Sequence, residues 1–366
     1  MATTQNPGRQ NRPPGLIRPA GLVRQGIAAA PLPTVELDAR TIADFLNGVC
    51  EGYGELADVL PEDRVWLEKA RAELKASLGA NSPALSCIEF VSELARLAIN
   101  DRSIRTAADL VAAVDKLTDA ELLDFLLSEL VASEEFGPST RRALEGDGAS
   151  WEELKQQLLG HKGHAVITGT LMEMPQAIRD VIRAWLPKYQ EVEERIGRML
   201  VRDVADRSMA DAARDPLGFV ENATNGIRVT PEHGLRVVHL IGTYFGRPYN
   251  SVTRIGDTLV LVYPIADSSV GASSRLTPPA GTLRLYRALG DETRLRILRL
   301  LADQDRYLTE LANELELSKP TISHHLAQLR SAGLVTVVEE GNLTFYTLRR
   351  DRIAQAGPEL GAFLAQ

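Results

Sequence analysis

From about residue 36 to residue 215, apolar positions recur at intervals of three and four, the period of helices buried along one face. "PEDRVWLEKARAELKASLG" predicts a helix opening at Pro61 and closing at Gly79, with Val65, Leu67, Leu74 and Leu78 as core candidates. "PALSCIEFVSELARLAIN" places Ile88, Val91, Leu94, Ala95 and Ala98 on one helical face. Thr118 with Glu121, and Ser150 with Glu153, have the spacing of capping boxes. A long helical stretch from Pro175 to Ala213 follows, with a break expected at Pro187. The period then changes. Residues 226–265 are rich in Val, Ile, Tyr and Phe and punctuated by turn formers, which predicts a small antiparallel meander with a tight turn at Gly256-Asp257. "DSSVGASSRLTPPAG" interrupts both patterns and reads as a linker. Beyond it, helical spacing resumes in "TLRLYRALGDETRLRILRLLAD", broken at Gly290-Asp291, with Leu295, Ile297, Leu298 and Leu301 on the apolar face of its second half.

The predicted class is α+β and multidomain, with a mainly helical N-terminal region that includes a small antiparallel sheet. The division is 1–35 as a disordered basic arm, 36–215 helical, 216–266 a β region, 267–280 a linker, 281–350 a C-terminal module and 351–366 a final helix. Six prolines among the first 33 residues leave no room for a regular element or for an amphipathic transit helix. Charge sharpens the division. Of the net −8, residues 1–35 carry +4 and residues 281–366 carry 0, leaving −12 on residues 36–280. So acidic a body excludes general adhesion to nucleic acid and confines any DNA contact to a small surface. No run of 18 apolar residues predicts a membrane span. Cys50 and Cys87, far apart and without CxxC spacing, support neither a disulfide framework nor a zinc site, and a cytoplasmic setting is expected.

The C-terminal module carries the clearest chemistry. Leu308, Leu311, Ala312 and Leu315 make one helix face; a short turn leads to Ser318 as N-cap and Pro320 in the first turn of the next helix, which buries Ile322, Leu326 and Leu329. "LVTVVEEGNLTFYTL" then alternates across a turn at Glu340-Gly341-Asn342 as a β-hairpin. Helix, turn, capped helix and hairpin make a winged helix-turn-helix, whose second helix enters the DNA major groove. On a helical wheel His324 and Gln328 point outward, and Lys319, Thr321 and Ser323 lie on the N-terminal rim. His325 falls toward the flank of the buried face, open to base contact or to packing.

"LGDETRLRILRLL", "ELANELELSKPTISHHLAQLRSAGLV" and "EEGNLTFYTL" resemble the ArsR family of bacterial transcriptional regulators over about residues 281–350. The resemblance implies a homodimer that binds an inverted-repeat operator on double-stranded DNA, in most cases as a repressor released by an effector. Carried over by position, Ser318, Lys319, Thr321, Ser323, His324, His325 and Gln328 would meet DNA, joined by Asn342 and Thr344 from the wing. The dimer would be closed by the helices around 283–289 and 353–364. Two departures follow. The helix "YLTELANEL" lacks the cysteines of the family's metal sensors and the terminal helix lacks histidine, so no metal and no other cofactor is expected. The wing has Asn342 where an arginine is common, beside Glu339 and Glu340. The longer N-terminal region resembles that of larger ArsR-type regulators, in which an apolar strand stretch ends in "YP"; it would sense a small-molecule effector that is not a metal, or mediate oligomerisation.

The competing readings are plainer. Adjacent histidines diverge by about 100° on a helix, which excludes 324–325 as a metal pair. His161 and His164 in "GHKGH" lack a further ligand and read as a surface loop. Arg294, Arg296 and Arg299 are as suited to a solvated or ion-paired face as to phosphate, and Tyr244, Phe245 and Tyr249 fit a core as well as a small-molecule pocket. Without GxSxG, P-loop, GxGxxG or HExxH patterns no enzyme is expected. The alternative from another class is a winged helix used for protein–protein assembly without sequence-specific DNA binding.

Overall fold

The computed structural model describes residues 30–50, 58–79, 82–160, 169–231, 233–271, 278–340 and 343–365. The expected arm thus lies outside the described residues up to 29, but its last two residues do not belong to an arm. Thr34–Asp38 form strand β1, which pairs in parallel with β2 (Val237–Thr243). The remaining strands of this sheet are β3 (Ser251–Ile255) and β4 (Thr258–Pro264), in the order β1-β2-β4-β3. The expected antiparallel meander is therefore corrected: β1, β2 and β4 run parallel, and only β3 runs against β4 across the predicted Gly256-Asp257 turn. Parallel pairing needs a long crossover, and here about two hundred residues of helix supply it between β1 and β2. A polar cluster pins β1 in place. Arg40 bonds Asp38 through Nε (2.9 Å) and the carbonyls of Ala98 and Ile104 through Nη1, while His239 Nε2 sits 3.2 Å from Asp38 Oδ2. Burial pushes against the Asp38 charge, yet the His239 and Arg40 contacts outweigh it and hold the carboxyl well below the usual range.

The helices of the crossover open with α1 (Ile42–Val49), α2 (Pro61–Leu78), α3 (Pro83–Ser86) and α4 (Ala95–Asn100). Next come α5 (Ala107–Lys116), α6 (Asp119–Ala132), α7 (Gly137–Leu144) and α8 (Gly148–Gly160). The long α9 (Met174–Ala205) runs through the centre, and α10 (Met209–Arg214) and α11 (Pro216–Ala223) lead to the sheet. Helix α2 has the predicted bounds, but Val65 is exposed and Ala70 joins Leu67 and Leu74 in the core. The single helix expected over 83–100 is instead α3, a 3₁₀ stretch over Ile88–Leu94, and α4. Ile88, Val91 and Leu94 are spaced strictly by three, which one face of a 3₁₀ helix buries without drift. Asp147, rather than Ser150, serves the start of α8: its carboxylate accepts from the Ala149 N–H at 3.0 Å and from the Ser150 hydroxyl. Helix α9 passes through Pro187 unbroken. Pro187 faces water, where the unpaired carbonyl one turn back can be hydrated, and buried Trp185 and Tyr189 on the opposite face hold the helix. One apolar core joins these helices to the sheet.

The stretch expected as a linker begins within the body, as the single turn α12 (Asp267–Val270), with Ser269 and Ala266 both donating to buried Asp203. The C-terminal module starts with α13 (Ala280–Leu289) and α14 (Glu292–Asp303), broken at Gly290-Asp291 as the sequence predicts. Leu295 is exposed, whereas Ile297, Leu298 and Leu301 are buried. Strand β5 (Arg306–Tyr307), unforeseen because it spans two residues, precedes α15 (Leu308–Leu315) and α16 (Lys319–Ser331). β5 extends the hairpin of β6 (Val335–Glu340) and β7 (Leu343–Leu348) to three strands, and α17 (Arg350–Leu364) closes the chain. This module has a core of its own. No helix among the described residues is long and apolar enough to cross a membrane.

Candidate nucleic-acid interface

Helix α16 is set by its own sequence. Ser318 Oγ accepts the Thr321 N–H at 3.3 Å and lies 2.8 Å from Thr321 Oγ1, and Pro320 occupies the first turn. At the far end the Leu334 N–H bonds the Leu329 carbonyl at 3.0 Å while Gly333 takes φ +71°, a glycine-terminated C-cap. Ile322, Leu326 and Leu329 fill the module's core, so register and rotation are fixed.

The opposite face is open even with the whole acidic body present. Ser318, Lys319, Thr321 and His324 are exposed, and Ser323 and Gln328 are half-buried beside them. Helix dipole and lysine together make the α16 N-terminus positive, a surface suited to an anion, and His324 and Gln328 hold hydrogen-bonding groups on the same side of the helix. His325 turns away from this face. Its Nδ1 lies 3.6 Å from Asp291 Oδ1, an ion-pair distance, and its ring diverges from that of His324 with centroids 6.0 Å apart at 69°. Asp291 also caps α14 by accepting the Arg294 N–H, which, with the charges of Arg294 and His325, lowers its pKa against a small burial penalty. Of the two outcomes left open for His325, the geometry places it against α14.

Two side chains on this helix went unread in the sequence. Ala327 is exposed beside His324, on the side away from Gln328, where a methyl can meet a thymine methyl, and its apolar character had hidden it among core formers. Arg330, also exposed, lies on the stripe of Lys319 and Ser323, at spacings of four and eleven residues that a wheel would have exposed. Thr344 sits on β7 opposite Glu339, and Asn342 lies outside the described residues. Arg299 pairs with Asp303 at 2.6 Å and Arg294 bonds the carbonyls of Arg287 and Ala288, so both serve the helix ends. Tyr244 and Phe245 are fully buried core. Among the described residues no group of His, Cys, Asp or Glu could hold a metal ion, and His161 and His164 lie outside them.

The body meets the module away from this face. Arg284 of α13 pairs with Asp58, and the Gly281 N–H donates to Asp267 at 2.7 Å. Burial pulls the Arg284 guanidinium down to about 10, helped by the nearby charge of Arg352. Gly226, at φ +115°, packs so tightly that a Cβ there would lie 3.0 Å from Arg349 Cδ and Thr336 Oγ1. The contact is made to the first helix and the base of the wing, and α16 stays free.

Residues 291–337 match the bacterial regulatory protein, arsR family. An uncharacterized HTH-type transcriptional regulator of Methanocaldococcus jannaschii is 42% identical over 72 residues, 19% of this chain and 81% of that protein. The HTH-type transcriptional regulator CmtR of Mycobacterium tuberculosis is 44% identical over 77 residues, 21% of this chain and 65% of its own, so the chain spans just under two thirds of that relative. Among solved structures, reduced HlyU from Vibrio cholerae is 39% identical, over 22% of this chain and 84% of that one, with a TM-score of 0.20. The relatives and the solved structure match about a fifth of the chain, and the family match spans a shorter stretch within the same C-terminal module.

Proposed function

Because the chain belongs to the ArsR family of bacterial regulatory proteins, we propose that it is a DNA-binding transcriptional regulator that reads an inverted-repeat operator as a homodimer and acts as a repressor. The observation that carries this reading is the open polar face of α16, with the apolar stripe at Ile322, Leu326 and Leu329 turned into the module's core. In this reading Lys319, Ser318 and Thr321 hold phosphates, and His324, Gln328 and Ser323 meet base edges. The homodimer reading is supported by α17, which buries no residue and leaves Ile353, Leu360 and Leu364 exposed beside Leu283 and Tyr286 of α13. Tyr286 Oη donates to the Ala356 carbonyl at 2.9 Å, which keeps the two helices side by side. The module over 281–350 would bind DNA, 351–366 would dimerise, and the body over 36–266 would sense an effector. The body's −12 charge repels DNA and so restricts contact to the α16 face.

A mobility-shift assay on the chain's own upstream DNA tests this. His324→Ala and Gln328→Ala are each expected to lose about 1–3 kcal/mol of operator binding and to relax base preference. Lys319→Gln is expected to weaken all sequences alike and to reduce the salt slope by about one. A folded protein that shows no preference for any upstream sequence contradicts the proposal and leaves the winged helix as an assembly surface.

A further inference from the structure

A cleft of about 510 Å³ opens between the start of α2, α9 and the end of α12, within the range of roughly 300–1,000 Å³ that small-molecule sites occupy. One wall is the start of α2, with Leu60, Glu62 and Asp63; another is α9, with Arg195, Arg198 and Arg202; the chain after β4 closes the third with Val270 and Gly271.

The charges divide into a fixed pair and a free pair. Asp63 is buried and fully engaged, accepting the Tyr244 hydroxyl at 2.6 Å and bonding both Arg195 terminal nitrogens. Burial opposes the Arg195 charge, but the Asp63 contacts outweigh it and raise its pKa, so this pair is a permanent wall. Among the described residues Arg198 pairs only with Glu194, four residues back on the same helix and almost wholly in water, a pair worth little. Among the described residues no carboxylate pairs with Arg202. Arg198 and Arg202 are one helical turn apart, so their guanidinium forks can close on one anion. With Arg195 they set three cations against Glu62 and Asp63, an excess of one positive charge in a body of −12. Leu60, Met199 and Val270 supply apolar contact beside them.

We propose that this cleft binds a small organic anion, a carboxylate or phosphate ester with an apolar part, gripped by Arg198 and Arg202. The ligand would be the effector of the regulator, a consequence that rests on the function proposed above, whereas the binding itself does not. The route is short. Val270 and Gly271 close α12, and Asp267 of that turn holds both Arg247 and the Gly281 N–H in the first turn of α13. A ligand seated on Val270 therefore bears on the contact that anchors the winged helix.

Calorimetry on the full chain with phenylacetate, phenyl phosphate and neutral 2-phenylethanol tests the site, and the two anions distinguish carboxylate from phosphate ester. One or both anions are expected to bind one to one with a Kd near or below about 1 mM, and the alcohol much more weakly. The double variant Arg198→Gln/Arg202→Gln is expected to lose about tenfold or more, while Arg214→Gln, the loss of one positive charge on α10 outside the cleft, retains binding. Equal binding of the alcohol, undiminished binding by the double variant, equal loss in Arg214→Gln, or no binding of either anion up to about 10 mM overturns the proposal. His324→Ala, deficient only in DNA contact, is expected to bind the anion normally, so a failed operator assay and a failed cleft give different results.

Discussion

At the scale of single residues, polar side chains are held either by backbone a few positions on or by partners far along the chain. Ser318 caps α16 and Thr118 caps α6 because both bond the backbone three residues on. His325 instead finds Asp291, 34 positions away, and Tyr244 ties its hydroxyl to Asp63. Asp44 is the extreme case. Wholly buried in α1, it accepts from the Tyr244 and Phe245 N–H groups (2.8 and 2.6 Å) and from the Thr243 hydroxyl. Burial pushes its pKa up to about 6 against the pull of those donors. The folded-state value exceeds the unfolded one, so the folded chain holds this proton more tightly. Its stabilising contribution is full below about pH 4 and is lost as pH rises through 6. Relative to Asp44→Asn, the wild type is expected to gain about 2–3 kcal/mol in urea unfolding as pH falls from about 7 to about 4. A difference between the two proteins that does not change with pH would remove this account.

At the scale of elements, caps and breakers marked the helix boundaries at Pro61, Gly79, Thr118 and Gly290-Asp291, though not at Ser150. Period alone was less informative. Spacing by three and four fitted an α-helix over 83–100, yet the chain there tightens into a 3₁₀ turn. Proline misled at position 187 because its effect depends on which way it faces. There it meets water, and its missing N–H and displaced carbonyl remain a local loss that packing of α9 overrides. Pro187→Ala is accordingly expected to raise stability by about 1–3 kcal/mol in urea unfolding, with no change in fold by circular dichroism. A destabilised variant would mean that the proline shapes α9 rather than merely being tolerated by it.

At the scale of the whole molecule, the body clasps the module from behind, through Asp58–Arg284, Asp267–Gly281 and the tight approach of Gly226 to Arg349. The apolar faces of α13 and α17 remain uncovered, with Leu360 at 36% and Leu364 at 72% exposure. A second copy covering them would place two α16 helices for adjacent half-sites. Ile353→Asp/Leu360→Asp is therefore expected to sediment as a monomer and to bind operator about a hundredfold more weakly, since each half-site is then engaged alone. A wild-type chain that sediments as a monomer at micromolar concentration would exclude the dimer.

The sequence by itself determined the capped amphipathic helices, the register of α16 and the order of elements in the winged module. Each follows from bonds and burial within a dozen residues, where period and cap chemistry are decisive. Only the tertiary structure decided that β1 joins β2 in parallel across two hundred residues, that His325 belongs to α14, and that α2, α9 and α12 enclose an arginine-lined cleft. Those outcomes depend on which distant surfaces close on one another. That choice is made by the summed burial of a whole core, and no local spacing records it.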